Sequence, residues 1–403
     1  MNFVRYLIHL NDSSFIKHLI RNTIELSFYI LRLLFYIMMV FPIKNNKIVL
    51  SRSGRSGYCD HPKYIVEEIF KRDKEYDLVW LVDSLENIVD MPKYVRVVRN
   101  HSLKSIYELA TARIWIDVIR KYSYVVKRSN QYYIQLWHGF GPKNVFKDGE
   151  KIPLLQRKSY LRDSRLADLY VSNNKLLSSI YRNDFWYDGV ILESGFPRND
   201  ILLADSDKVT RLRNKLGIKD GIKIVMYAPT FRLDMNVEWN SLDYLGLISF
   251  LSHRFSSEWV VLLRLHPMIA DKVSLFLKEN KNLIDVSNYI DMQHLLLISD
   301  VLITDYSSCM FDFSVLRRPC FLYVPDIGDV DTKQGFCIQP ENLPFPRAHS
   351  NEELQTIIEN FDEESYVKTL NEYLDSIGMC DNGTASKAVV DWIEEKINAN
   401  KKE

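Results

Sequence analysis

At 403 residues the chain is too long for one ordinary hydrophobic core and long enough for two domains. Its 47% hydrophobic and 26% charged content is that of a folded globular protein and excludes a disordered one. Lys+Arg and Asp+Glu balance at 52 each, so net charge argues neither for nor against a nucleic-acid partner. The five cysteines (Cys59, Cys309, Cys320, Cys337, Cys380) are scattered without CxxC spacing, which suggests neither a zinc site nor a disulfide framework, and reduced thiols in a cytosolic setting are the simplest reading.

The first predicted element is an apolar helix over Ile24 to Phe41, broken by Glu25, Ser27 and Arg32 and ended by Pro42. It lacks a small-residue cleavage site, so it is a poor secretory signal. Its length approaches a membrane span, but Arg32 near the middle makes spanning costly. Lys17, Arg21, Arg32, Lys44 and Lys47 flank or interrupt it and suit a helix lying in the headgroup layer of an anionic leaflet. Packing into the first domain and a true span are the competing readings.

After Pro42 an α/β pattern begins. Strands are predicted at 47–51, 78–82, 95–98, 114–116, 132–136, 169–172 and 189–193, with helices near 64–71 and 103–112. A second series follows at 222–227, 259–263, 283–286, 301–303 and 319–323, and a final helix at 385–398. Strands alternating with helices imply parallel sheets covered on both faces. The expected division is a membrane-associating segment over 1–45, a Rossmann-like domain over 46–205, a second over 206–380, and a C-terminal helix over 381–403 that packs back across them. The junction falls in the polar stretch 199–219. Between Arg120 and Arg165 cations outnumber acids, which suits an anionic partner or a membrane surface.

Two doubly wound domains facing each other place a ligand at the carboxyl ends of their strands, and the candidate residues cluster there. His138 follows the strand ending at Leu136 and sits on a glycine-flanked turn, free to move protons near neutral pH. Lys143 beyond it is a point charge suited to phosphate. Thr230 and Arg232 end the first strand of the second series, and Arg264 and His266 end the next. Arg232 ranks high because a guanidinium binds phosphate in bidentate fashion. By alternation Arg264 and His266 point to one side of their strand. The stretch Ser299 to Asp312 reads as a buried strand, carrying Thr304, that breaks at Asp305 into a helix whose first turn bears Ser307 and Ser308, with Asp312 one turn on. A helix start with unpaired N–H groups is a natural phosphate seat. Asp329-Val-Asp331, with Asp326, resembles the Asp-x-Asp of metal-dependent sugar-nucleotide transferases but has no nearby histidine, and the sequence implies no divalent cation.

Taken in order, Trp137-His-Gly139 with Pro142-Lys143, Tyr227-Ala-Pro-Thr-Phe-Arg232, Arg264-Leu-His-Pro267 and Ser299-Asp-Val-Leu-Ile-Thr-Asp-Tyr-Ser-Ser308 resemble the CDP-glycerol glycerophosphotransferase family of teichoic acid and capsule synthesis. Asp60-His-Pro-Lys-Tyr64, Ala110-Thr-Ala112 with Trp115-Ile-Asp117, Ser194-Gly-Phe-Pro-Arg-Asn-Asp200 and Asp381-Asn-Gly-Thr-Ala-Ser-Lys387 extend the resemblance over about residues 45 to 395. It implies a GT-B-like pair of Rossmann domains, CDP-glycerol as donor held mainly by the second, and a peripheral location on the cytoplasmic face of the plasma membrane. Carried over residue by residue, His138 is the catalytic base, His266 the second essential histidine near the donor phosphates, and Ser307 and Ser308 the phosphate-binding helix start, with Arg232 and Lys143 in support. Phe140 and Gly141 depart from the Thr and following residue of many members.

The expected reaction joins glycerol phosphate to a hydroxyl of a membrane-linked glycan or growing polymer and releases CMP. CDP-ribitol as donor, a sugar-nucleotide GT-B glycosyltransferase and an idle scaffold in a synthesis complex are the alternatives. A compact chain leans toward adding one or few units, although a capsule polymerase could be this compact. Acceptor identity and homo-oligomerisation are not written in the motifs.

Overall fold

The computed structural model describes residues 14–52, 57–85, 88, 90–142, 154–203, 206–230, 242–265, 280–325 and 336–399. Among them are two parallel sheets. The first comprises β1 (Lys44–Ser51), β2 (Asp77–Val82), β3 (Val95–Arg99), β4 (Ala112–Asp117), β5 (Tyr132–Gln135), β6 (Leu169–Ser172) and β7 (Val190–Glu193), in the order β3-β2-β1-β4-β5-β6-β7. The second comprises β8 (Lys223–Ala228), β9 (Trp259–Leu263), β10 (Leu283–Asp285), β11 (Val301–Thr304), β12 (Cys320–Tyr323) and β13 (Arg347–Ala348), in the order β10-β9-β8-β11-β12-β13. Each sheet is wound outward in both directions from its first strand, so each has a switch point: β1/β4 in one, β8/β11 in the other. The two sheets are the doubly wound units that the strand pattern anticipates, in the GT-B-like pair that the family resemblance implies. The two-residue β13 was beyond reach of any sequence pattern.

Near-continuous apolar runs make these strands core on both faces. In β4 Ile114, Trp115 and Ile116 are fully buried, as are Val225 and Met226 in β8 and Leu302 and Ile303 in β11. Helix ends are set by local caps. Ser102 accepts from the Ser105 N–H at 3.1 Å and its own N–H donates to Ser105 Oγ at 3.0 Å, opening the helix Leu103–Thr111. The C-terminal helix Ala385–Ala399 is capped at long range: Asp200 accepts from the N–H groups of Ala385 at 3.0 Å and Ser386 at 2.7 Å. That helix buries Val389, Val390, Ile393 and Ile397 in the core of the first domain, so the chain returns from the second domain to close on the first.

The N-terminal helix runs over Ser14–Met38, beginning well before the stretch expected from hydropathy. One face packs on the first domain through Phe35, Phe28 and Leu31, and Phe28 lies 5.8 Å from the Tyr124 ring. Arg128 fixes its end by donating to the carbonyls of Met39 at 2.8 Å and Phe41 at 3.0 Å. The opposite face leaves Leu26, Tyr29, Ile30, Leu33 and Ile37 exposed. No helix among the described residues is long and apolar enough to cross a membrane.

Several cations read as a basic surface serve the interior instead. Lys47 is fully buried against Glu108 at 2.6 Å, and Lys121 pairs with Asp117 at 2.7 Å. Arg120 lies over the Tyr160 ring at 4.0 Å and the Phe185 ring at 4.6 Å, and Arg162 bonds the carbonyls of Tyr122 and Val125. Charge counting along a sequence does not distinguish a solvated cation from one held by a distant carboxylate.

The two domains meet through buried polar contacts. Lys63 pairs with Asp291 at 2.6 Å, Tyr64 donates to the same carboxylate at 2.9 Å, and Lys63 Nζ lies 2.9 Å from His294 Nε2. Removing one partner of such a pair strands the other charge in a low dielectric. Asp291→Ala should therefore cost about 3–5 kcal/mol of unfolding free energy in denaturant titration. A loss below about 1 kcal/mol would show that water reaches Lys63 and that the pair is a surface one.

Candidate active site

β5 ends at Gln135, whose side chain is fully buried and accepts the Trp137 N–H at 2.9 Å. This contact holds Trp137 in the left-handed region, at φ 56°, and turns the chain sharply at the strand's carboxyl end. His138 emerges from that turn exposed, with its ring 4.0 Å from the Trp137 ring. Protein packed around the rest of the ring disfavours the cation, and Arg198 and Arg120 add to this, so the imidazole titrates below its ordinary range. A hydrogen bond to the Val118 backbone and the nearby Asp60 oppose the shift only in part. A neutral, oriented imidazole at neutral pH is what a general base requires.

The next residue brings in the second domain. Gly139 has φ 136°, and a Cβ placed there would lie 2.8 Å from both Ser308 Oγ and Arg198 Nη2. Only glycine meets both demands. The turn bearing His138 thus touches the loop after β11 directly. Phe140 continues the seam, buried with its ring 4.5 Å from Phe311, which gives this departure from the family pattern an interdomain packing role. Pro142 accepts the Cys337 N–H at 2.8 Å.

At the β8/β11 switch point, Thr230 donates its N–H to Asp305 at 2.9 Å and its hydroxyl bonds the same carboxylate. Ser307 and Ser308 follow, both partly exposed. Neither acts as the cap the sequence suggests: Ser308 is itself helical, at φ −59° and ψ −17°, without a side-chain cap bond, and Ser307 Oγ meets the Cys309 N–H only at 3.5 Å. The helix they open is short, Cys309–Ser314. The Ser308 hydroxyl sits beside the His138 turn, while Ser307 stays turned to Cys309 at the helix start.

Other residues picked out in the sequence serve the frame. Thr304 is fully buried and donates to the Ala228 carbonyl at 2.7 Å, tying β11 to β8. Arg264 turns to the loop after β10, donating to the carbonyls of Val286 and Tyr289. Asp312 is buried and accepts from Arg198 at 2.9 Å and from Gln293 at 3.2 Å. Lys143, Arg232 and His266 lie outside the described residues, as do Asp326, Asp329 and Asp331. No group of three or more His, Cys, Asp or Glu among the described residues is placed to hold a metal ion.

Sequence reasoning missed Arg198 as a site residue, although its motif, Ser194 to Asp200, was in view. Its guanidinium is almost wholly buried and donates to the His138 carbonyl at 3.0 Å and to Asp60 at 3.2 Å as well as to Asp312. Burial alone would raise the Asp60 pKa, but Arg198, His61 and Arg52 hold it well below the carboxylate range. The same surroundings, burial first and Arg198 next, push His61 down to about 3.

The family model of CDP-Glycerol:Poly(glycerophosphate) glycerophosphotransferase matches residues 33–395. The chain belongs to this family. It is 34% identical to the teichoic acid poly(glycerol phosphate) polymerase of Staphylococcus epidermidis over 88% of this chain and 51% of that protein. With the teichoic acid glycerol-phosphate transferase of Staphylococcus aureus it shares 30% identity over 90% of this chain and 93% of the relative. The chain thus spans about half of one relative and nearly all of the other. A teichoic acid poly(ribitol-phosphate) polymerase of Bacillus spizizenii is more distant, at 26% over 89% of this chain and 57% of that protein. Among solved structures, a variant of the wall teichoic acid polymerase TagF soaked with CDPG superposes with a TM-score of 0.78 at 32% identity, covering 89% of this chain and 90% of that one.

Proposed function

We propose that this glycerophosphotransferase moves glycerol phosphate from CDP-glycerol to a hydroxyl of a membrane-linked glycan or growing glycerol-phosphate polymer. The observation that carries the reading is the contact of Gly139 with Ser308, which sets a neutral imidazole one residue away from the hydroxyl-bearing start of a helix in the other domain. An acceptor hydroxyl between them gives its proton to His138 as its oxygen bonds the phosphorus bearing glycerol. The bond from that phosphorus to the bridging oxygen breaks, CMP departs with the electron pair, and a phosphodiester remains. Ser307 and Ser308 and the amides beside them hold the donor phosphates. By the resemblance of their motifs, His266, Arg232 and Lys143 complete the anion-binding set. The first domain then serves the acceptor and the second the donor. Glycerol is preferred to ribitol as the transferred alditol because identity is higher to the glycerol-phosphate relatives, at 34% against 26%.

His138→Ala should lower CMP release from CDP-glycerol in the presence of acceptor by about 10²- to 10⁴-fold. Calorimetric affinity for the donor should persist in this variant, and should fall when Ser307→Ala is combined with Ser308→Ala. CDP-ribitol run in parallel should give slower release. CMP release by His138→Ala at the wild-type rate would discard the assignment of the base.

The exposed stripe Leu26, Ile30, Leu33 and Ile37 of the N-terminal helix fits a peripheral seat on the cytoplasmic leaflet, with Arg32 on the same helix for anionic headgroups. Each such side chain is worth about 1.5–3 kcal/mol when removed from water. Leu33→Glu with Ile37→Glu should therefore reduce co-sedimentation with anionic vesicles by roughly 10²-fold while leaving the fold intact. Equal vesicle binding by the double variant would rule out this face.

A further inference from the structure

The guanidinium of Arg198 is almost wholly buried and touches both halves of the site. It lies in the turn Pro197–Leu203, directly beyond β7 of the first domain. Nη1 donates to the backbone carbonyl of His138 at 3.0 Å and to Asp60 Oδ1 at 3.2 Å. Nη2 pairs across the seam with Asp312 Oδ2 at 2.9 Å, on the helix that Ser307 and Ser308 precede. The same nitrogen stands where a Cβ on Gly139 would have to be, 2.8 Å away. Planar guanidinium geometry allows these directions to be held at once, and a lysine ammonium of similar length does not reproduce them.

We propose that Arg198 is a positioning residue for the transfer reaction, holding the His138 turn at a fixed distance from the Ser307/Ser308 helix start so that base and donor meet only when the domains are closed. This rests on the transfer reading above. Asp60 and Arg198, in the motifs Asp60 to Tyr64 and Ser194 to Asp200, then act together. Asp60 buttresses Arg198 from within the first domain, and Lys63 and Tyr64 grip Asp291 of the second beside it. Among the described residues the charged and titratable groups near His138 are Arg198, Asp60, Arg120 and His61. Arg198 and Arg120 are the cations there among the described residues, so removal of Arg198 also relieves a repulsion on the imidazolium.

The test measures kcat and KM for CMP release from CDP-glycerol by wild type, Arg198→Lys, Arg198→Ala and Gly139→Ala, with thermal unfolding of each. The His138 imidazole pKa is followed by NMR without substrate, its signal assigned with His138→Asn. A misplacement of about 1 Å costs on the order of 10²-fold in rate, so both Arg198 variants should lose at least tenfold in kcat, with KM for CDP-glycerol within about twofold. In Arg198→Ala the His138 pKa should rise and the acid limb of the kcat/KM profile should move with it to higher pH, because the base must be neutral to act. Arg198→Lys keeps the charge and should shift the limb less while still losing kcat. Gly139→Ala should lose kcat with Arg198 intact, which keeps the test decisive if Arg198→Ala fails to fold. A folded Arg198→Lys with kcat within twofold of wild type would overturn the proposal, and so would an unmoved His138 titration in a folded Arg198→Ala. Absence of CMP release by wild type would refute the transfer reading instead, and the NMR titration would still decide whether Arg198 governs His138.

Discussion

A missing Cβ governs the geometry of this molecule. At Gly139 two Rossmann domains approach until a serine hydroxyl of one and a guanidinium of the other chain segment occupy the space any side chain would need. The backbone conformation there is also one that L-residues avoid. Both requirements follow from placing an imidazole at the carboxyl end of β5 directly opposite the loop after β11. Parallel sheets deliver loops to their carboxyl edges. Facing two such edges toward each other brings the His138 turn against Ser308 from parts of the chain roughly 170 residues apart.

The seam between the domains is polar and buried, which is costly unless each charge finds a partner. Lys63 with Asp291 and Arg198 with Asp312 both satisfy that condition across the interface. An apolar seam would bind more simply, but ion pairs of fixed geometry specify one relative orientation of the domains. On the proposed function, with base and donor on different domains, orientation matters more than adhesion. The pairing of Phe140 with Phe311 supplies apolar contact beside these charges. The same crowding that surrounds His138 lowers the pKa of its imidazole, so its position and its titration have a common origin.

Much of the fold was legible because a buried parallel strand is written locally, as a short apolar run between turn residues. β2, β4, β9 and β11 were all readable in that way, and their alternation with helices gave two doubly wound units. The candidate site was legible only as strand ends. His138, Ser307 and Ser308 were found because glycine, histidine and paired serines are conspicuous after such runs. What stayed hidden was every relation across the chain. Asp312 and Arg198 are 114 residues apart, and neither residue alone signals that one will neutralise the other. Lys47, read as a headgroup ligand, is paired with Glu108 in the interior for the same reason. Thr304 and Arg264 sit where ligand contacts are expected, but local carbonyls take up their donors.

The central claim is that donor phosphates and the His138 imidazole share the interdomain opening at Gly139 and Ser308. A crystal structure of the His138→Asn variant with CDP-glycerol tests it most directly. The account predicts the diphosphate against Ser307 and Ser308, with the glycerol-bearing phosphorus separated from residue 138 by space for one attacking hydroxyl. A diphosphate bound on an outer face of either domain, away from the Gly139 turn, would contradict it.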